Sequence, residues 1–503
     1  MNDSAGVNDG PASVPAPPGR TPGDDDFVTK MPLAWTPGVA LRDGRVSIGG
    51  SPWTVTVLPD DVVPLAQKLH ALGRVGALVK TAEEKKAAVF LLDLGIIDPL
   101  PQATAPVIDV EIVVPAYRDW DALERCLDAL TAENLPIIVV DDASPEPFAT
   151  AIRDVVEAHD ARLIVRAENG GPGAARNTGF ALTTAPFVAF VDSDVIASPE
   201  WISRLRPLLD DPTMGAVAPR VRPDVQGDSA IELYEETRSE LDMGAVPSRV
   251  VYGVPVGWLP SASVIVRRSA TSSPPFDPEM RVGEDVDLFW RMEEAGWTVR
   301  YAPDVVNHHR VRTSLKEFSS RRASYGGSAA PLELRHKNRL IPARPSLSGL
   351  GVLAALAVGR PGLALGIAGY ELARQRQILP SSVSLPVAAE MAGRTIWSDV
   401  FWLGHLLRRD WWPIGLLVLL LTPKSRLARA AAVAMSIEPV RDHLLSPTRL
   451  DPARSLALRA LDDASYGTGV IGGALRWKVL NVVAPRVRVP WWPFRIQKGR
   501  PPQ

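Results

Sequence analysis

Four short stretches of this 503-residue chain carry side chains suited to phosphate and hydroxyl chemistry. Asp192-Ser193-Asp194 follows the apolar run Pro186–Val191. Two carboxylates flanking one residue at a strand end can turn toward a single Mg2+ or Mn2+. Such hard cations take oxygen ligands and keep positions open for phosphate oxygens. Glu284-Asp285 opens a segment in which Leu288, Phe289 and Met292 recur at helical spacing, so the pair sits at a helix start. Carboxylates there suit the helix dipole. They can also take the proton from an attacking hydroxyl. Asp285 is the expected base, Glu284 an orienting or acceptor-binding neighbour, and Asp287 a structural carboxylate. His308-His309 follows the strand-like run Val299–Val306, and the chain has only seven histidines. His308 can complete a metal site with Asp194, or the pair is structural. Gly170–Asn177 is a glycine-rich turn into a helix whose N–H groups can face a diphosphate. It matches neither the phosphate-loop nor the dinucleotide fingerprint. Arg176 within it either contacts that diphosphate or braces helix against sheet. Trp258, in the loop Val254–Ser261, either stacks on an acceptor ring or fills the core.

The elements around these residues alternate. Strands are expected at Asp109–Val114 (ending at Pro115), Pro136–Val140, Arg162–Val165 and Pro186–Val191. Helices are expected at Asp121–Ala132, Phe148–His159 and Gly173–Leu182. That order implies an α/β, doubly wound, mostly parallel sheet. Ligands of such sheets sit at the carboxyl ends of the strands. Asp141/Asp142, the glycine-rich turn and Asp192/Asp194 all fall there.

The flanks differ. Residues 1–26 are rich in Gly, Pro, Ser and Asp and read as a disordered tail without a signal peptide. Residues 27–106 read as a small winged-helix-like unit: a hairpin of Val39–Ile48 and Trp53–Val57, a helix capped by Asp60/Asp61, and a second helix opened by Thr81. Such a unit binds a peptide or is a plain structural appendage. Residues 107–340 hold the sheet. Residues 341–503 are apolar and basic. Past residue 300 there are roughly 30 Lys and Arg against about a dozen Asp and Glu. The apolar runs 347–358, 363–373 and 411–421 are too short for clean spans, and their Trp and Arg flanks suit helices lying at a membrane surface. A buried helical subdomain is the alternative. One cysteine, Cys126, excludes an internal disulfide framework and fits a cytoplasmic site of action. The basic residues do not cluster with aromatics, which argues against nucleic acid as a partner.

Val110–Tyr117, Val139–Ser144, Gly170–Gly179, Phe190–Asp194 and Gly283–Arg291 together resemble family 2 glycosyltransferases, in that family's motif order. The resemblance covers roughly residues 107–325. It implies a GT-A fold, a nucleoside-diphosphate sugar donor and inversion at the anomeric carbon. It further implies a divalent metal on Asp194, for which His308 is the candidate second ligand, and a base at Asp285. It implies donor contacts at Asp142 (nucleobase) and Asp192; Pro115 and Arg176 are further candidate donor contacts, and Trp258 a candidate acceptor contact. The whole architecture resembles the branch acting on a peptide-derived redox cofactor of the mycofactocin type. That implies β-1,4 transfer of glucose from UDP-glucose; the apolar, basic C-terminal region and the lack of a signal peptide set the expected location at the cytoplasmic face of the membrane. The Gln-x-x-Arg-Trp sequence of processive synthases is missing, with Arg321-Arg322-x-x-Tyr325 in a comparable place, which argues against a long polymer and leaves single transfer and short extension both open. Two other readings are a transferase acting on a lipid and a non-catalytic peptide-binding scaffold. Intact Asp192, Asp194 and Asp285 argue against the scaffold.

Overall fold

The computed structural model describes residues 14–19, 24–103, 106–311 and 313–487. Its N-terminal unit comprises β1 (Leu33–Trp35), β2 (Ala40–Arg42), β3 (Val46–Gly49), β4 (Thr54–Val57), α1 (Val63–Leu72), α2 (Ala82–Asp93) and β5 (Ile97–Pro99). The expected strand Val39–Ile48 is itself a hairpin. Asp43 and Gly44 both take positive φ and turn the chain between β2 and β3, as Asp-Gly pairs favour. Asp60 and Asp61 do not cap α1, whose N-cap is Val62 without a side-chain bond. Thr81 and Glu84 do form a reciprocal capping box on α2. Of the segment expected as a disordered tail, residues 14–19 have a place on the main domain. Val14 packs on its core, and Trp297 Nε1 donates to Pro15 O at 2.6 Å. Residues 1–13 and 20–23 lie outside the described residues.

The central domain runs β6 (Val110–Ala116), α3 (Trp120–Thr131), β7 (Ile137–Asp141), α4 (Phe148–Ala158), β8 (Arg162–Val165), α5 (Pro172–Leu182), β9 (Phe187–Val191), β10 (Val195–Ile196), α6 (Trp201–Leu205), β11 (Met214–Asp224), α7 (Ala230–Arg238), β12 (Ser248–Arg249), β13 (Ser263–Arg267), α8 (Glu284–Glu294) and β14 (Thr298–Arg310). Its sheet has the order β10-β14-β11-β13-β9-β6-β7-β8, with β12 beside β14. β8, β7, β6 and β9 are parallel; β13 joins β9 antiparallel. The parallel half therefore ends along one edge, where the acidic and glycine-rich stretches emerge. Alternation in β6 builds two cores. Ile112 and Val114 face Leu123, Leu127 and Ile152, while Val113 faces Val140, Phe180 and Phe190 on the other side. Gly179 lets α5 lie close on the sheet, because a Cβ there would sit 2.3 Å from Val113 Cγ1.

Helices follow: α9 (Leu315–Gly327), α10 (Ala329–Arg335), α11 (Leu347–Ala357), α12 (Pro361–Ile378), α13 (Leu385–Arg408), α14 (Trp412–Leu421), α15 (Arg426–Leu445) and α16 (Pro452–Trp477). No helix among the described residues is long and apolar enough to cross a membrane. These helices are tied together by buried ions. Arg408 and Arg459 share Glu438 and Asp463. Arg322 meets Glu235, Glu240 and Asp462, joining α9 to α7 and α16. The N-terminal unit is wedged in from both sides. Asp98 pairs in the interior with Arg300 of β14, while Val46 and Ile48 pack on Val383, Val387 and Met391. One face of the three-stranded sheet β2-β3-β4, part of the unit expected either to bind a peptide or to be a structural appendage, is thus covered by α13.

α9 and α16 cross at glycines. A Cβ at Gly326 would lie 2.1 Å from Tyr466 O, and one at Gly469 1.9 Å from Ala323 O. Gly469→Val should force the helices apart at a cost of about 3 kcal/mol. A thermal melt matching wild type would show that the crossing relaxes freely.

Candidate active site

The carboxyl edge of β6, β7 and β9 gathers the expected residues, held by local backbone geometry. Asp141 and Asp142 end β7 and are buried. Asp141 Oδ1 accepts from Ser144 N at 3.1 Å, turning the chain back. Asp142 accepts from Gly170 N at 3.1 Å, from Gly171 N at 2.7 Å and from the Arg166 guanidinium. Its carboxylate, expected on a nucleobase, is thus committed to the glycine-rich turn. Charge-assisted bonds to N–H donors are a strong way to fix a loop. The turn's first N–H groups consequently face Asp142, which alters the expectation that they cradle a diphosphate. Arg281, which the sequence reading passed over, lies against that turn and donates to Asn169 O at 3.3 Å. Pro115 is buried within β6 opposite Val140.

Arg176 is the centre of the site's charge. Its guanidinium is 2% exposed and pairs with Asp192 through Nη2 and with Glu284 through Nη1, the latter at 3.1 Å. It is a brace, and the groups it braces are the two acidic stretches. Burial opposes its charge, but Asp192 and Glu284 more than compensate and hold it protonated. Glu284 is therefore turned inward at 6% exposure, which suits the orienting alternative of its two expected roles. Burial, with the charge of Asp285 added, pushes the Glu284 carboxyl up to about 7 against the pull of Arg176.

Asp285 sits one residue further into the first turn of α8. Its Oδ2 accepts from Ser261 N at 3.3 Å and its Oδ1 from Val286 N at 2.8 Å. Burial raises its pKa too, against those backbone bonds and Arg176. The Ser261 N–H arrives on the loop before β13, and the next residue, Ala262, accepts from Asp192 N at 2.9 Å. One loop thus touches both acidic stretches. Trp258, on the same loop, is half-buried. Asp287 points away, to Arg291 at 2.8 Å and His336 at 3.1 Å. His336 also meets Glu294 at 2.8 Å, so the chain after α10 clamps α8 from behind.

Asp194 and His308 are related by register. β10 and β14 pair antiparallel with Val195 opposite His309 and Ile196 opposite His308, and Arg310 N donates to Asp194 O at 3.0 Å. Asp194 is then the diagonal neighbour of His308 on one face, while Val195 and His309 share the other. The buried His309 bonds Ser239 at 3.2 Å and is structural. Asn307, fully buried, accepts from Ser198 N at 2.8 Å and donates to Ser263 Oγ at 2.8 Å, which fixes this corner. Among the described residues no three His, Cys, Asp or Glu side chains gather as a metal cage. The chain offers one carboxylate and one imidazole, a donor set that suits Mg2+ or Mn2+ only if other oxygens complete it.

The family profiles and the curated relatives agree on glycosyl transfer. The profile described as Glycosyl transferase family 2 matches residues 111–258, and that of Glycosyl transferase family group 2 matches residues 187–436. The pre-mycofactocin glycosyltransferase of Mycobacterium tuberculosis is 34% identical over 466 residues, covering 89% of this chain and 96% of that protein. Glycosyltransferase AglE of Haloferax volcanii is 25% identical over 40% of this chain and 67% of its own length. The mannosyltransferase PcManGT of Pyrobaculum calidifontis, solved with GDP-Man and Mn2+, aligns at 21% identity and a TM-score of 0.36, covering 67% of this chain and 89% of that one.

The raised pKa of Glu284 has a stability consequence. Folding favours its protonated form, so its contribution is full below the ordinary value of 4.5 and is lost as pH climbs through about 7. Glu284→Gln mimics the protonated form. The variant should match wild type near the lower value and become the more stable protein above the upper one, on the order of 1 kcal/mol. Melts across that range test this; a difference that is flat with pH would refute it.

Proposed function

The chain belongs to glycosyltransferase family 2, and from that premise we propose that it transfers glucose from UDP-glucose, in β-1,4 linkage, to a peptide-derived redox cofactor of the mycofactocin type. The observation that carries the acceptor class is the 34% identity along nearly the whole length of a relative named for pre-mycofactocin. The reaction is a single displacement. The acceptor hydroxyl attacks the anomeric carbon as the diphosphate leaves, and configuration inverts.

The residues at the strand edge suit each part of that step. Asp285 takes the hydroxyl proton. Its bonds from Ser261 N and Val286 N fix the carboxylate, and its raised pKa makes it a stronger base than an exposed aspartate. Arg176 keeps Asp192 and Glu284 in place beside it. Asp192 is the expected donor contact and Trp258 the expected acceptor platform. A divalent cation held by Asp194 and His308, with diphosphate oxygens filling its shell, would neutralise charge on the leaving group. Arg281 beside the glycine-rich turn suits the same negative charge. Short oligosaccharide extension is part of the proposal.

The direct test incubates purified protein with UDP-glucose and Mn2+, with and without the cofactor precursor, and weighs the products. Addition of one or more hexoses that stops on chelation is expected. Donor hydrolysis with the precursor unmodified would move the acceptor to another class, lipids first. Asp285→Asn should lower kcat by roughly 10²–10⁴-fold with donor affinity kept; near-normal turnover would remove Asp285 as base. Asp194→Ala should weaken metal-dependent donor binding by calorimetry, and unchanged binding with metal present would remove it as a ligand.

A further inference from the structure

Among the described residues, the C-terminal helices leave an apolar surface uncovered around α14. Of α14, Trp412–Leu421, only Gly415 is buried. A Cβ there would lie 2.2 Å from Leu407 O, so α14 is held to α13 by its one small face. Ile414, Leu416, Leu417, Leu419, Leu420 and Leu421 stand in solvent, Leu420 at 77% exposure. A helix apolar all round is normally buried in protein or lipid. The turn between α11 and α12 adjoins it: a Cβ at Gly359 would be 3.7 Å from Arg426 Nη1 at the start of α15. That turn exposes Leu356, Val358, Leu363 and Leu365. Exposed Arg360, Lys424, Arg426 and Arg429 rim the surface, and residues 345–370 and 411–437 contain no Asp or Glu.

We propose that this face rests in one leaflet of a bilayer containing anionic phospholipid, with α14 and the α11–α12 turn among the acyl chains and the four cations on headgroup phosphates. The length of α14, about 15 Å, is half of the roughly 30 Å hydrocarbon core, so the helix enters the membrane without spanning it. A second copy of the chain suits the surface less well. Symmetric pairing would bring the cationic rims together with no carboxylate in these segments to meet them. Anionic headgroups supply the missing charge.

Flotation of the full-length protein with phosphatidylcholine vesicles, with and without phosphatidylglycerol, tests this. Wild type should rise with the phosphatidylglycerol vesicles, and salt should weaken the effect. The pair Lys424→Gln and Arg426→Gln should partition roughly fivefold more weakly per cation removed. The pair Leu417→Glu and Leu420→Glu, and separately Leu365→Glu, should stay at the bottom. All are surface positions, so melts should match wild type. Wild type failing to float on either vesicle would overturn the proposal, as would glutamate variants that float normally. Salt-independent flotation equal on both lipids would overturn the headgroup assignment. Sedimentation showing a dimer that Leu417→Glu and Leu420→Glu dissolve would give the surface to a second copy.

Discussion

The guanidinium of Arg176 is buried between Asp192 and Glu284, and the placement of the candidate site follows from keeping that charge paired. Removing a lone cation from water costs several kcal/mol, which only well-placed carboxylates return. Arg176 comes from the first turns of α5, Asp192 from the end of β9, and Glu284 from the start of α8. The pairing therefore ties three elements distant in sequence. It also sets the chemistry of Asp285, which inherits a shielded position beside a like charge and a fixed cation. A carboxylate so placed has its basicity set by its neighbours more than by its own type.

The rest of the chain supports that centre from outside. Behind α8, His336 bridges Asp287 and Glu294, and Arg339 bridges Glu293 and Glu294. Arg335 reaches Asp277 on the loop before the helix. Farther out, Arg322 and the Arg408–Arg459 cluster hold α9, α13, α15 and α16 together through buried ion pairs. The N-terminal unit closes the other side, with Asp98 on Arg300 and its sheet against α13. Such an assembly keeps α8 in register with the sheet edge even though the two meet through few direct bonds.

The same helices show why the composition of the chain's basic half overstates the positive charge it offers to a partner. Arg322 of α9, Arg408 of α13 and Arg459 of α16 are consumed by buried carboxylates. The cations left in solvent around α14 flank leucines, not aromatic platforms, and that combination matches a lipid surface.

Sequence alone determined the α/β alternation of the central domain and the residues at its carboxyl edge, because both are local. A strand ending in Asp192-Ser193-Asp194 and a helix beginning with Glu284-Asp285 are set by apolar periodicity and by short-range capping. The family is legible for the same reason: its motifs are contiguous. Tertiary structure decided which way those residues face. Nothing in the spacing shows that Asp142 turns to the glycine-rich loop, that Glu284 turns inward to Arg176, or that Ser261 offers its N–H to Asp285. Those pairings span 24 to 108 residues of sequence and exist only because the sheet brings its edges together. The long helices α13, α15 and α16 were likewise hidden. Their buried faces are built around arginine and acid pairs, so apolar periodicity under-reports them, and only packing tells a buried charge from a solvated one.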